Sequence, residues 1–168
     1  MPGLIVGSFI PDIEVPILIV FFNGIFPDHF IMHSLIGALT IGTIISTLVT
    51  VLLYPSLASF FFRLDKVKVK KVCRLTPALV LSCVLGNVFH ILLDVPMHPF
   101  NPVLWPFVDP YSIVGVLVLV FAVDGNLGLG FLTANILNSV IMGLFSLAII
   151  IRSRRKLWEQ LLVGARKL

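Results

Sequence analysis

Charged side chains are scarce in this sequence, and their scarcity excludes an ordinary soluble protein. Of the 168 residues, 12% are charged and 58% are hydrophobic, and the mean hydropathy is +1.10. Soluble domains carry roughly 25% charged residues, because their surfaces must stay wet. The composition therefore indicates a protein whose solvent is the lipid bilayer.

Lysine and arginine are missing from most of the chain. All twelve occur in one loop or in the tail. They are Arg63, Lys66, Lys68, Lys70, Lys71, Arg74, Arg152, Arg154, Arg155, Lys156, Arg166 and Lys167. The positive-inside rule predicts that both clusters are cytoplasmic. Their position beside apolar runs favours contact with anionic membrane lipid over nucleic acid, so we expect no nucleic-acid partner.

Several common functional motifs are also missing. Cys73 lies in the basic loop and Cys83 in an apolar run, so we expect no disulfide. The glycine-rich stretch 125–130 is not completed by a lysine, which favours a helix connection over a phosphate-binding loop. The N-terminal apolar run lacks a basic start and is interrupted by acids, so we expect no cleavable secretory signal.

Three apolar runs have the length of a membrane span. Residues 34–54, 76–95 and 131–151 each approach the ~20 residues that a helix needs to cross the hydrocarbon core. The sequence therefore predicts an all-α, polytopic membrane protein with a helical transmembrane domain over 1–151. The basic segment 152–168 is predicted to be a cytoplasmic amphipathic tail that lies on the inner membrane surface.

Two further apolar segments are interrupted or short. In 4–26, Pro11 removes a backbone donor, and Asp12 and Glu14 are costly in lipid, so we expect a broken or re-entrant helical pair. The run 112–123 is too short to cross and is expected to re-enter or lie at the interface. The composition leaves the oligomeric state open.

A proline-rich segment at 96–107 follows the second predicted span. Its prolines exclude a regular helix, and Trp105 is typical of an interfacial anchor. We therefore expect an ordered rim beside the membrane surface.

The predicted topology brings the histidines and several acids to the outer face. If the loop 63–74 is cytoplasmic, helix 34–54 runs inward and helix 76–95 runs outward. His33 and Asp94 then share one face, and His90 lies on the same helical stripe as Asp94. Ser34 is expected to begin its helix rather than act as a nucleophile.

Imidazole and carboxylate groups that converge inside a membrane protein are typical of a metal site. The candidate ligands are Asp12, Glu14, His33, His90 and Asp94, with His98 assisting. Zinc or manganese suits such a donor set. Protonated histidines could supply the missing positive charge instead. Asp28, His29 and Asp109 are weaker candidates, because they lie in loops where a solvated side chain needs no explanation.

The order of four short motifs resembles the membrane-bound metal-dependent hydrolases of bacteria and archaea. The motifs are PDIE at 11–14, HSLIGA at 33–38, HILLD at 90–94 and LWPF at 104–107. The resemblance covers about residues 7–110 and implies a small helical inner-membrane protein. It also implies that Asp12, His33, His90 and Asp94 occupy the family's acid and histidine positions, with Glu14 replacing a usual second aspartate.

These observations lead to one preferred function and two alternatives. The preferred function is a metal-dependent hydrolase that acts on a lipid or phosphoester, with Glu14 as general base and His98 assisting. The first alternative is a cation- or proton-binding transport or sensor protein. It is less favoured because helix 34–54 offers only serine and threonine hydroxyls as a polar path. The second is a structural membrane protein whose polar cluster holds helices together.

Overall fold

The computed structural model describes residues 1–22, 29–152 and 155–164, and it has an all-α fold. Within that part of the chain the regular elements are helices and short 3-10 turns, and one isolated bridge pairs Val123 with Asn126. The helices are α1 (Pro2–Phe9), α2 (Glu14–Phe22), α3 (Leu35–Gly37), α4 (Thr43–Leu52), α5 (Tyr54–Phe62), α6 (Lys66–Val72), α7 (Pro77–Asp94), α8 (Val116–Phe121), α9 (Leu127–Arg152) and α10 (Arg155–Val163).

Four helical segments of the described chain are long and apolar enough to cross a membrane. They are Pro2–Phe22, Leu35–Leu52, Pro77–Met97 and Leu127–Arg152. The last three correspond to the predicted spans, and the all-α membrane fold is confirmed.

The N-terminal segment differs from its prediction in one respect. The expected break is present as the 3-10 turn Pro11–Ile13, between α1 and α2. Pro11 opens this turn, where a missing backbone donor costs little, so the helical path continues. The whole segment Pro2–Phe22 is also long and apolar enough to be a fourth candidate span, beyond the three that were predicted. Residues 23–26 of the predicted segment lie outside the described chain.

Close packing of α1 on α7 brings the PDIE motif at 11–14 beside the HILLD motif at 90–94. A Cβ added to Gly7 would lie 2.4 Å from the Cys83 carbonyl oxygen, and one on Gly86 would lie 2.4 Å from the Leu4 carbonyl oxygen. Gly3 meets α7 one turn earlier, at Leu79. The two helices thus run in the same direction, and small residues at the contact allow their backbones to approach. Asp12, just beyond α1, reaches the end of α7.

Helix α4, which follows the HSLIGA motif at 33–38, packs antiparallel to α7. Asn87, fully buried, donates through Nδ2 to Ser46 Oγ and to the Cys83 carbonyl, both at 2.9 Å. A π-helical stretch, Ala38–Gly42, joins α3 to α4. The residues before α3 therefore lie at the same end of α7 as Asp94.

The C-terminal half adds one short and one long helix. Helix α8 has six residues, too few to cross, as predicted for 112–123. It packs on α9 at Gly130, where a Cβ would lie 2.1 Å from the Val118 carbonyl oxygen. Asn126 accepts a hydrogen bond from the Leu129 backbone N–H at the start of α9, so the predicted helix connection is confirmed.

The other end of the molecule carries the basic residues. Asp65 caps α6 through a 2.8 Å bond from the Val67 backbone N–H, and Tyr54 donates to the Leu162 carbonyl of α10 at 2.8 Å. Helix α10 is thus the described part of the predicted tail, while residues 153, 154 and 165–168 lie outside the described chain. Cys73 and Cys83 are free and buried, as expected without a disulfide, and burial raises the pKa of the Cys73 thiol to about 11.

The two ends of α7 differ in the residues that gather around them. The histidine end comprises residues 12–14, 29–34 and 90–101, and the basic end comprises residues 63–76 and 155–164. They are separated by the 18 residues of α7, or roughly 27 Å at the α-helical rise.

Candidate metal centre

All four histidines of the chain meet at the histidine end. The His33 ring lies 4.3 Å from His29 and 5.4 Å from His90, centroid to centroid, and His29 lies 4.6 Å from His98. These residues come from the loop before α3, from α7 and from the segment after α7. The convergence predicted for His33, His90 and His98 is present, and His29, a weaker candidate, joins it.

One group of potential ligands consists of Asp12, His33 and His90. Asp12 Oδ1 lies 3.3 Å from His90 Nε2 and 3.9 Å from His33 Nε2, and the two histidine Nε2 atoms are 3.4 Å apart. One ligand atom from each residue lies within 4.8 Å of the others, close enough to share an ion. His33 is buried, whereas the Asp12 side chain is 54% exposed.

A second group consists of His29, Asp94 and His98. One potential ligand atom of each also lies within 4.8 Å of the others. His29 Nε2 is 3.9 Å from Asp94 Oδ2, and His98 Nδ1 is 3.1 Å from the Asp94 carbonyl oxygen. His29, Asp94 and His98 line a small cavity together with His33 and Asn101.

The Asp94 carboxylate lies between the two groups. Its Oδ2 atom is 3.5 Å from His90 Nε2 and 3.6 Å from His33 Nε2, besides its contact with His29. This oxygen is buried and accepts no hydrogen bond from the described residues. A buried carboxylate oxygen without a donor is costly unless a cation or proton compensates it. Its surroundings fit a metal ion, because the imidazoles of His29, His33 and His90 all approach this oxygen.

Glu14 holds His33 in place. Its buried carboxylate accepts hydrogen bonds from the Met32 backbone N–H at 3.0 Å and the Phe30 backbone N–H at 3.1 Å, and it contacts His33 Nδ1 at 3.1 Å. With Nδ1 donating to Glu14, His33 Nε2 is free to face Asp12 and His90. Glu14 belongs to neither ligand group, so its roles as ligand and general base stay predictions.

The electrostatics of His33 reflect this contact. Burial lowers the pKa of His33, but the nearby Asp12 carboxylate and the hydrogen bond to Glu14 outweigh burial, and the pKa lies above its usual value. Two carboxylates thus favour positive charge at this imidazole, either as a proton or as a neighbouring cation.

Asn101 is a positioning residue that the sequence did not single out. It is buried, and its Nδ2 donates to the His98 carbonyl at 2.8 Å and to the Ile113 carbonyl at 2.9 Å. These bonds close the segment that carries His98 into an ordered loop, as expected of the proline-rich rim. One sequence feature could have pointed to Asn101: it lies between Pro99 and Pro102, in a segment where backbone carbonyls lack the regular partners of a helix.

The other residues considered in the sequence are Ser34, Asp109 and Asp28. Ser34 caps α3 by accepting from the Gly37 backbone N–H at 3.0 Å, so its predicted helix-initiating role is confirmed. Asp109 accepts from the Tyr111 backbone N–H at 3.0 Å and belongs to neither ligand group. Asp28 lies outside the described residues.

Comparisons with protein-family models, with curated proteins and with solved structures find no match for this chain.

Proposed function

We propose that this protein is a metal-dependent hydrolase whose centre at the histidine end binds divalent cations. One observation carries the proposal: all four histidines surround Asp12 and Asp94, although they come from separate segments of the chain. Histidines that merely fill a helix interface would have no reason to gather around two carboxylates.

Two ions fit the two ligand groups. Asp12, His33 and His90 would hold one ion, and His29 and His98 would hold the other, with Asp94 placed between them. Mixed nitrogen and carboxylate donors suit zinc or manganese. Glu14 would act as a positioning residue, because its bond to Nδ1 fixes the ring orientation and tautomer of His33.

The charge distribution supports a bound cation. Acidic side chains within a membrane protein cost several kcal/mol unless they are paired or coordinated. The lysines and arginines begin at Arg63 in one cluster and at Arg152 in the other, so none belongs to the histidine end. A divalent ion would compensate Asp12 and Asp94 without a basic side chain.

The residues of the centre also suit hydrolysis. A bound divalent ion would lower the pKa of water toward ~7 and polarise the bond to be cleaved. Both Glu14 oxygens already accept hydrogen bonds, so Glu14 is better placed to hold His33 than to act as the general base. Asn101 fixes the backbone on which His98 is carried.

The surroundings of Asp12 favour a substrate that arrives from the membrane. Its half-exposed carboxylate lies next to Ile13, which is 47% exposed, and near Phe9, which is 65% exposed. An opening flanked by apolar side chains suits a lipid or a lipid-linked phosphoester. With the basic loop and tail in the cytoplasm, the protein would be multi-pass and the centre would lie at the extracytoplasmic side.

The proposal is tested by hydrolysis in lipid micelles. Purified protein is stripped with a chelator, reloaded with zinc or manganese, and assayed for phosphate or alcohol release from lipid phosphoesters and carboxylic esters. We expect activity that requires the ion and is lost in His90→Ala but kept in Asp109→Ala, a control in the outer loops. Metal binding without turnover of either ester class would contradict the hydrolase and favour the cation-binding sensor or transporter.

A further inference from the structure

A groove at the basic end lies far from the histidines. It has a volume of about 530 Å³, within the range of roughly 300–1,000 Å³ typical of small-ligand sites. Its walls come from the start of α1, the connection between α6 and α7, the first turns of α7, and the end of α10.

The charged side chains that line the groove are both cationic. Lys71 and Arg74 are exposed, and among the described residues no aspartate or glutamate lines the groove beside them. The nearby acids are engaged elsewhere: Asp65 caps α6, and Glu159 lies 3.7 Å from Lys68. The groove therefore offers a positive charge that the surrounding side chains do not neutralise.

The other lining groups combine hydroxyls with an apolar wall. Thr76 and Ser82 line the groove, as do the apolar side chains of Val72, Leu79 and Val163. Outside the groove the α7 surface stays apolar, and Leu81 is 58% exposed. Positive charge, hydroxyl groups and a continuous apolar surface thus follow one another along the first turns of α7.

We propose that this groove binds the headgroup of an anionic phospholipid of the adjoining leaflet. Lys71 and Arg74 would contact the phosphate, Thr76 would donate its hydroxyl hydrogen, and the acyl chains would lie along the exposed face of α7. Basic residues spread over a flat surface attract anionic lipid only diffusely. A concave site with two cations above an apolar wall selects one bound lipid. The apolar wall also distinguishes a lipid from free phosphate.

Lipid titration followed by native mass spectrometry tests this site. Full-length protein in detergent is titrated with phosphatidylglycerol and, separately, with phosphatidylethanolamine. The groove variant is Lys71→Gln/Arg74→Gln. The matched control is Lys66→Gln/Lys70→Gln, which removes the same charge from exposed positions of the same basic loop that do not line the groove.

We expect the wild type to retain one phosphatidylglycerol in preference to phosphatidylethanolamine. Loss of two cationic contacts should weaken phosphatidylglycerol binding roughly tenfold or more in the groove variant. The control should stay near the wild type. Equal weakening in both variants, or none in the groove variant, would overturn the site. Displacement of the lipid by millimolar inorganic phosphate would overturn the lipid as its occupant.

Discussion

The two ends of this molecule differ in how far their charged side chains are buried. At the histidine end, acidic and imidazole side chains are drawn together, and His33 and Glu14 are buried against each other. At the basic end, the lysines and arginines of residues 63–74 are exposed, and the Lys68–Glu159 pair is half-exposed on both sides. Exposed charge at the basic end needs no partner within the protein, whereas charge at the histidine end must be compensated within the protein. Substitutions of charged residues should therefore have larger effects at the histidine end than at the basic end.

The largest effect is expected on the stability of the fold, from a substitution in the contact between α1 and α7. Gly7→Leu would drive a side chain into the Cys83 carbonyl, because even a Cβ at Gly7 lies 2.4 Å from that oxygen. We expect α1 to leave α7 and the protein to aggregate or lose its sharp thermal transition. Gly143→Leu is the control, since nothing lies within 4 Å of a Cβ there. Similar behaviour of both variants in size-exclusion chromatography would show that the α1–α7 contact is not essential.

The second-largest effect is expected on the number of metal ions that each chain binds. His29→Ala/His98→Ala removes two members of the second ligand group and leaves Asp12, His33 and His90 intact. We expect the bound metal to fall from two ions to one per chain, measured by titration of chelator-stripped protein. An unchanged stoichiometry, or complete loss of metal, would contradict two separable ligand groups that share Asp94.

A smaller effect is expected from the residue that orients His33. Glu14→Gln keeps the shape of the side chain but removes the charge that accepts from His33 Nδ1. We expect metal affinity to fall about 10–100-fold, as for other carboxylates behind a histidine ligand. Asp109→Asn, the same chemical change outside both groups, should leave affinity unaltered. Complete loss of metal in Glu14→Gln would instead support Glu14 as a direct ligand.

The smallest effect is expected at the basic end. Lys68→Ala removes an exposed ion pair with Glu159 at 3.7 Å. Such pairs contribute between about 0.2 and 1 kcal/mol, because water screens them. We therefore expect the free energy of unfolding, measured by denaturant titration in detergent, to change by less than about 1 kcal/mol. A larger loss would mean that the two ends do not differ as described.

Hydropathy was sufficient to predict the three long spans, because a bilayer imposes length and apolar composition directly on the sequence. The N-terminal span was harder to predict. Pro11 and Asp12 predicted a break, which is present as the turn Pro11–Ile13, but the sequence alone did not show that a helix resumes directly after it.

The candidate site could be predicted only in part. The grouping of His33, His90 and Asp94 could be predicted from the sequence. Helical spacing and topology place these residues at the same end of the two predicted helices 34–54 and 76–95. His29 was ranked low because a loop position says nothing about where its ring packs. The contacts of Glu14 depend on the backbone N–H groups of Phe30 and Met32, which approach it only in the folded chain.

The most direct test of the central claim is elemental analysis of detergent-purified protein. The wild type is compared with His90→Ala/Asp94→Ala, and Asp109→Ala serves as the folded control. The proposed centre predicts stoichiometric zinc or manganese in the wild type and the control, and its loss in the double variant that still elutes as a folded species. No metal in the wild type, even after reconstitution with divalent ions, would contradict the centre and favour protonated histidines or a structural cluster.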